Sequence, residues 1–248
     1  MFTPPAGRRI GEVWFDRDGD EALPLLVKYI FTSERLSIQV HPDDVQARAA
    51  GLAGGKEECW YILDCAPDAV LGIGLTKSLT PEDFAAAARD GSIEQLIEWK
   101  PVKPGDFYFI RAGTVHAIGA NIALAEIQQN ADVTYRLYDY GRPRELHLRQ
   151  GQAVSRLAPY DRPALHANLG ESRSLLSPGE APFAVNLCHL RAGQATLPLD
   201  GRPLWFLPLR GIGTINGAPF DKGECWLIDD GDDVAIETDC DALVAAVS

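Results

Sequence analysis

Three scarcities narrow the reading before any motif is considered. Basic residues are outnumbered, with 23 Lys and Arg against 35 Asp and Glu, a formal net charge of -12. A surface of that sign repels a phosphate backbone, so nucleic-acid binding is not expected. An anionic small molecule would need a local Lys and Arg cluster set against the global field. Long apolar runs are missing too: none approaches the roughly 18 residues of a membrane-spanning helix. The N-terminal MFTPPAGRRIGEVWF has no apolar stretch of the secretory kind. Cysteine occurs five times (Cys59, Cys65, Cys188, Cys225, Cys240) with no CxxC spacing, which suits free, mostly buried thiols in a reducing compartment. The expectation is a cytoplasmic protein without nucleic-acid or membrane partners; the sequence fixes no oligomeric state.

What is present is ordinary globular material, 46% hydrophobic over 248 residues, enough for one large all-β domain or two smaller ones. The hydrophobic period is mostly two. Strands are expected at PLLVKYIF (24–31), RLSIQVH (35–41), ECWYILD (58–64) and AVLGIGL (69–75). The texture then changes. Thr80 as N-cap, Pro81 at the first helical position and Gly91 past the end predict a helix, and SIEQLIEWK (92–100) a second short one. Together they form a small helical insertion around residues 77–100, a lid or a packing appendage.

Strands resume with KPGDFYFIRAGTVHAIG, NIALAEIQQ and VTYRLYDYG. Residues 143–182 read as a connector, and short strands fill the rest. This spacing points to barrels or sandwiches. Two units are expected, residues 1–150 and 151–248. Aligning Gly223 with Gly105 puts Val234 in the place of His116. Aligning LRAGQATLPLD with FTSERLSIQVH puts Pro198 and Asp200 opposite Gln39 and His41, with Pro203 or Leu204 near the Glu58 position. The second unit is thus expected to repeat the first without its polar residues.

Those polar residues carry the chemistry. Gln39 and His41 are two apart on a strand and share a face. Glu58 opens ECWYIL on the face of Trp60 and Ile62, and His116 follows GTV beside Ala117 and Ile118. A single histidine on an apolar face is usually a core residue. Oxygen and imidazole donors from three segments, with no thiolate, instead suit Zn2+ or another divalent catalytic metal that keeps a position open. Two imidazoles, one carboxylate and one amide leave a site of charge +1 with a divalent ion. His147, His166 and His189 have no such partners and read as structural or surface residues.

LSIQVHPDD, GKEECWYIL and AGTVHAIG-NIALAEIQQNADVTYRLYDYGR resemble the motifs of type I phosphomannose isomerases over roughly residues 8–142. These are zinc-dependent cupins that interconvert mannose 6-phosphate and fructose 6-phosphate. The resemblance implies tandem jelly-roll barrels in an all-β fold, with Gln39, His41, Glu58 and His116 as metal ligands. It also implies catalytic roles for Lys56 and Arg136. Glu126 and Asp132 are candidates for the base, Glu126 alternatively orienting His116. Phosphate contacts are sought among Lys28, Lys56, Arg136 and Arg142. KEE replaces the more usual KTE, so Glu57 is a new carboxylate expected to face away from Glu58. Other readings are a metal cupin acting on another sugar phosphate, an iron dioxygenase, and a non-catalytic sugar-binding cupin.

Overall fold

The computed structural model describes residues 9–17, 22–194, 197 and 203–248. It divides the chain into two compact units, 11–164 and 165–248, the latter together with the described residues 9 and 10. Among the described residues no helix is long and apolar enough to cross a membrane.

The first unit contains strands β1 (Glu12–Phe15), β2 (Leu25–Phe31), β3 (Ile38–Val40), β4 (Glu58–Cys65), β5 (Val70–Leu75), β6 (Ile97–Pro101), β7 (Asp106–Ile110), β8 (His116–Ile118), β9 (Ile122–Gln129) and β10 (Tyr135–Tyr138). Helices α1 (Asp44–Ala49), α2 (Pro81–Asp90), α3 (Ile93–Leu96) and α4 (Leu148–Val154) are interleaved. One antiparallel sheet runs β1-β2-β9-β4-β7 and the other β10-β3-β8-β5-β6. The strands alternate as expected of sheets packed face to face. Trp60, Ile62, Tyr108, Ile110 and Leu124 of the first sheet meet Leu71, Ile73 and Ile118 of the second in one buried cluster.

The helical insertion starts as its sequence dictates. The Thr80 hydroxyl accepts from Asp83 N, Pro81 opens the first turn, and Gly91 closes it at φ 86. Phe84, Ala87 and Ala88 bury its inner face against Ile38, Val40 and Leu137. Residues 92–100 depart from expectation. Only Ile93–Leu96 is helical, and Ile97–Pro101 is a strand paired with β5. The β-branched Ile97 and aromatic Trp99 favour that pleated edge. The 143–182 connector is also partly regular: it holds α4, β11 (Leu165–His166) and β12 (Arg173–Leu176). Helix α1 was likewise not foreseen; Asp43 and Gln46 cap it reciprocally.

The second unit continues with β13 (Phe183–Leu190), β14 (Leu204–Arg210), β15 (Gly213–Ile215), β16 (Ala218–Phe220), β17 (Trp226–Ile228), β18 (Val234–Ile236) and β19 (Cys240–Val247). Its sheets run β12-β13-β19-β14-β17 and β16-β15-β18. That order repeats β1-β2-β9-β4-β7 and β6-β5-β8 strand for strand. Registers agree as well. Glu58 pairs with Ile110 and Gln128, and Leu204 with Ile228 and Ala246. Gly105 and Gly223 both turn left-handed, at φ 89 and 91. Leu204 therefore takes the Glu58 position and Val234 that of His116. Likewise Val244 stands for Glu126 and Asn186 for Lys28. Pro198 and Asp200, aligned with Gln39 and His41, lie outside the described residues.

Candidate metal centre

Strand pairing brings the predicted ligands together. Gln39 on β3 is the direct Cα partner of His116 on β8. His41 follows β3 on the face of Gln39, while Val40 between them turns into the apolar cluster. Glu58 enters from the first residue of β4. The loop before it is held by Lys56 N donating to Pro42 O at 3.0 Å and Gly55 N to Asp44 Oδ1 at 2.8 Å. Gly55 is required there, since a Cβ would lie 2.4 Å from the Asp43 carbonyl carbon.

The two imidazoles and the carboxylate are buried, and their donor atoms lie within 4.8 Å of one another. His41 Nε2 is 3.4 Å from Glu58 Oε2, and His116 Nε2 is 3.4 Å from Glu58 Oε1. Each ring is oriented from behind. His41 Nδ1 sits 2.7 Å from Val133 O and His116 Nδ1 sits 2.8 Å from Thr114 O. A carbonyl can only accept, so both Nδ1 atoms carry the proton and both Nε2 lone pairs face Glu58. Burial, with the Lys56 charge adding to it, lowers His41 to about 3, and burial also lowers His116. Both rings are neutral near pH 7. Burial alone would raise Glu58, but the Lys56 charge opposes it, and the carboxyl is held well below its ordinary value.

His41 Nε2 and Glu58 Oε1 are buried without a hydrogen bond, while Glu58 Oε2 is met by Lys56 Nζ at 2.9 Å. Buried orphans of this kind are costly unless something electropositive meets them. Two imidazole lone pairs and a carboxylate turned toward each other are the donor set of a divalent metal site, and the residues fit one. Gln39 stands beside them with its amide nitrogen inward, Nε2 3.3 Å from His116 Nε2. Its Oε1 accepts from Ser37 Oγ at 3.2 Å. An oxygen ligand from Gln39 requires that amide to be turned over.

A cavity of about 290 Å³ opens against Gln39 and Lys56. Lys56 Nζ is 2.9 Å from Glu58 Oε2. Arg136, the Cα partner of Gln39 across β10 and β3, shares its face and lines the same cavity. Two hydrogen bonds pin its backbone to His147: His147 N donates to Arg136 O at 2.7 Å, and Arg136 N donates to the ring nitrogen His147 Nδ1 at 3.2 Å. Glu126 accepts from Trp60 Nε1 at 2.9 Å and faces Lys28 Nζ at 3.3 Å. Burial, then the Glu58 charge, raises its carboxyl. It does not orient His116; the Thr114 carbonyl does. Asp132 lines the cavity but is exposed.

Arg142 does not line the cavity, because its guanidinium is spent on Asp139, Glu34 and the Arg35 carbonyl. Glu57 points away from Glu58, as expected, near Ala112 N at 3.4 Å. Three contributors were not foreseen. Trp60 packs edge-on to His116 with ring centroids 5.5 Å apart and also holds Glu126. Gln128 accepts from Lys28 at 2.7 Å. Arg144 lies at the cavity wall within a segment read as connector. His166 and His189, in the second unit, pair with Asn168 and Asp241.

No family profile matches the chain. The probable mannose-6-phosphate isomerase GmuF of Bacillus subtilis is 39% identical over 173 residues, 64% of this chain and 54% of that protein. Against it the chain spans about half the relative's length. The mannose-6-phosphate isomerase ManA of the same organism is 35% identical over 241 residues, 90% of this chain and 76% of that protein. The crystal structure of the mannose 6-phosphate isomerase from Bacillus subtilis superposes with a TM-score of 0.73 at 28% identity. That match covers 92% of this chain and 77% of the other.

Proposed function

Because this chain belongs to the type I phosphomannose isomerases, we propose that it interconverts mannose 6-phosphate and fructose 6-phosphate through a cis-enediol. The observation that carries the reading is the buried cluster of His41, Glu58 and His116, its donor atoms turned toward one another beside a cavity lined by Gln39 and Lys56. Gln39 is the fourth ligand in this reading, and Zn2+ the metal. A divalent ion held there supplies Lewis-acid polarisation of a substrate oxygen.

The chain's own residues do the rest. Isomerisation moves a proton between C2 and C1, and the carbon acid is weak, so charge developing on oxygen must be met by fixed cations. Lys56 and Arg136 line the cavity together with Gln39 and serve that role. Arg136 suits it because it stays charged and its planar fork can bridge two oxygens. Glu126 is the better of the two candidates for the base. It is buried, aimed by the Trp60 indole, and raised above its ordinary value, closer to a working pH. The exposed Asp132 has no such tuning.

The five cysteines are free, in keeping with a cytoplasmic enzyme. The test is a coupled assay for fructose 6-phosphate on chelator-stripped protein, before and after zinc is restored. Zinc-dependent turnover is expected. Absence of turnover with metal demonstrably rebound would remove the isomerase assignment.

A further inference from the structure

The cations around the cavity are not equally available to a ligand. Lys28 is matched by Glu126 at 3.3 Å and Lys56 by Glu58 at 2.9 Å. Glu12 accepts from the Trp14 indole at 2.6 Å, and Asp132 is exposed to solvent. Two guanidiniums remain, Arg136 and Arg144. Arg136 Nη1 donates to a neutral partner, Glu145 O, at 3.1 Å, and its buried Nε has no hydrogen bond. Glu145 adjoins Arg144 in the chain, so both guanidiniums border the same stretch of wall.

Arg144 grips Asp139 through two parallel bonds, Nε to Oδ2 at 2.6 Å and Nη2 to Oδ1 at 2.7 Å. That carboxylate is shared. Arg142 Nε also donates to Asp139 Oδ1, at 3.0 Å. One negative charge divided between two guanidiniums leaves a surplus positive charge beside the cavity. The counter-ion on the far member, Glu34, is 73% exposed and therefore screened. Asp139 is 2% exposed. Burial pushes its carboxyl up, but hydrogen bonds from Arg144 and Arg142 outweigh that and hold it below its ordinary value. It stays anionic and fixes the fork. Arg144 itself is 45% exposed and keeps Nη1 unengaged.

We propose that Arg144, held out by Asp139 and working beside Arg136, anchors the phosphate group of the substrate. It thereby sets the preference for a phosphorylated over a plain hexose. A phosphate dianion offers three oxygens to guanidinium forks, the geometry arginine serves best. Asp139 is a positioning residue: it touches no substrate and acts by fixing Arg144. The assignment rests on the isomerase reading for the sugar, not for the anion.

The test is calorimetric titration of the metal-loaded full-length protein with mannose 6-phosphate and with D-mannose, alongside turnover on the same samples. Losing one charge-assisted contact predicts that Arg144→Ala lowers the selectivity for mannose 6-phosphate over mannose by about 10- to 100-fold. Arg144→Lys restores part of it, keeping charge without the fork. Asp139→Asn raises KM for mannose 6-phosphate rather than lowering kcat. Unchanged selectivity in a folded Arg144→Ala protein overturns the proposal, and so does an equal loss for both sugars. A wild type that binds mannose 6-phosphate without converting it removes the isomerase reading and leaves the anchor standing. A wild type that binds neither sugar overturns both.

Discussion

Gln39 and His116 are direct Cα partners across β3 and β8, and Arg136 is the Cα partner of Gln39 on its other side. Three polar side chains are thus fixed in one row across the sheet by backbone register alone. A slip of one residue in β3 would turn Gln39 and His41 to the opposite face. The row faces Glu58 on the other sheet, which is why the cluster forms at this level of the unit.

Removing a ring tests the metal reading directly. His116→Ala is expected to lower metal affinity and turnover by at least ~100-fold, since even groups that only orient a ligand are worth 10- to 100-fold. Its far-ultraviolet circular dichroism should match the parent. Retention of stoichiometric metal by elemental analysis, with wild-type activity, would show the ligand assignment to be wrong.

Acid should loosen the chelated protein in a defined direction. An unfolded histidine binds its proton near pH 6.5. Burial, aided by Lys56, keeps His41 from doing so until about pH 3, and burial lowers His116 as well. Glu58, held well below its ordinary value, loses stability in the same sense as pH falls. Between these limits the unfolded state holds more protons, so stability falls with falling pH. Glu126 and Glu57, both raised chiefly by burial, run the other way, against these three and the lowered Asp139. Melting temperature should decline steadily from pH 7 to pH 4; a flat or rising profile would contradict neutral imidazoles.

Trp60→Phe keeps the ring against His116 and deletes the indole N–H that reaches Glu126. That hydrogen bond lowers the Glu126 carboxyl, so its loss should raise it further. If Glu126 is the base, the acidic limb of the kcat profile moves to higher pH. The stability cost should be about 1–3 kcal/mol for a buried acceptor left short of a donor. A lower kcat with an unmoved limb would take the proton transfer away from Glu126.

Gly55→Ala places a Cβ against the backbone of Asp43 and Asp44, with contacts of 2.4 and 2.5 Å to rigid atoms. Overpacking of that kind costs about 1–3 kcal/mol. The shift should displace Lys56 and Glu58 together, so metal affinity falls along with melting temperature. A fall in melting temperature with unchanged metal affinity would uncouple the loop from the site.

The strands and the ligand set were legible because both are written locally. Short apolar runs rich in β-branched and aromatic residues mark β2 and β4, and imidazole and carboxylate residues among them mark themselves. Helix α2 was readable for the same reason, from Thr80, Pro81 and Gly91. The helix–strand switch at Ile97 was not, because its outcome depends on pairing with β5 rather than on its own nine residues. In GRPRE the sequence pointed to Arg142, yet Arg144 lines the cavity: which one reaches it is decided by Asp139 and Arg35, contacts that no spacing encodes. The backbone carbonyls of Val133 and Thr114, which aim the two rings, have no side-chain signature at all.

The second unit is an internal control supplied by the chain itself. It carries the same strand order with Leu204, Val234 and Val244 where the first unit has Glu58, His116 and Glu126. All three are buried in its own core. The blueprint therefore closes with apolar side chains at those three positions, and the charges buried there in the first unit are no requirement of its topology. Substitutions that strip the first unit of its polar interior should drift it toward the chemistry of its twin: better packed, less sensitive to acid, and inert.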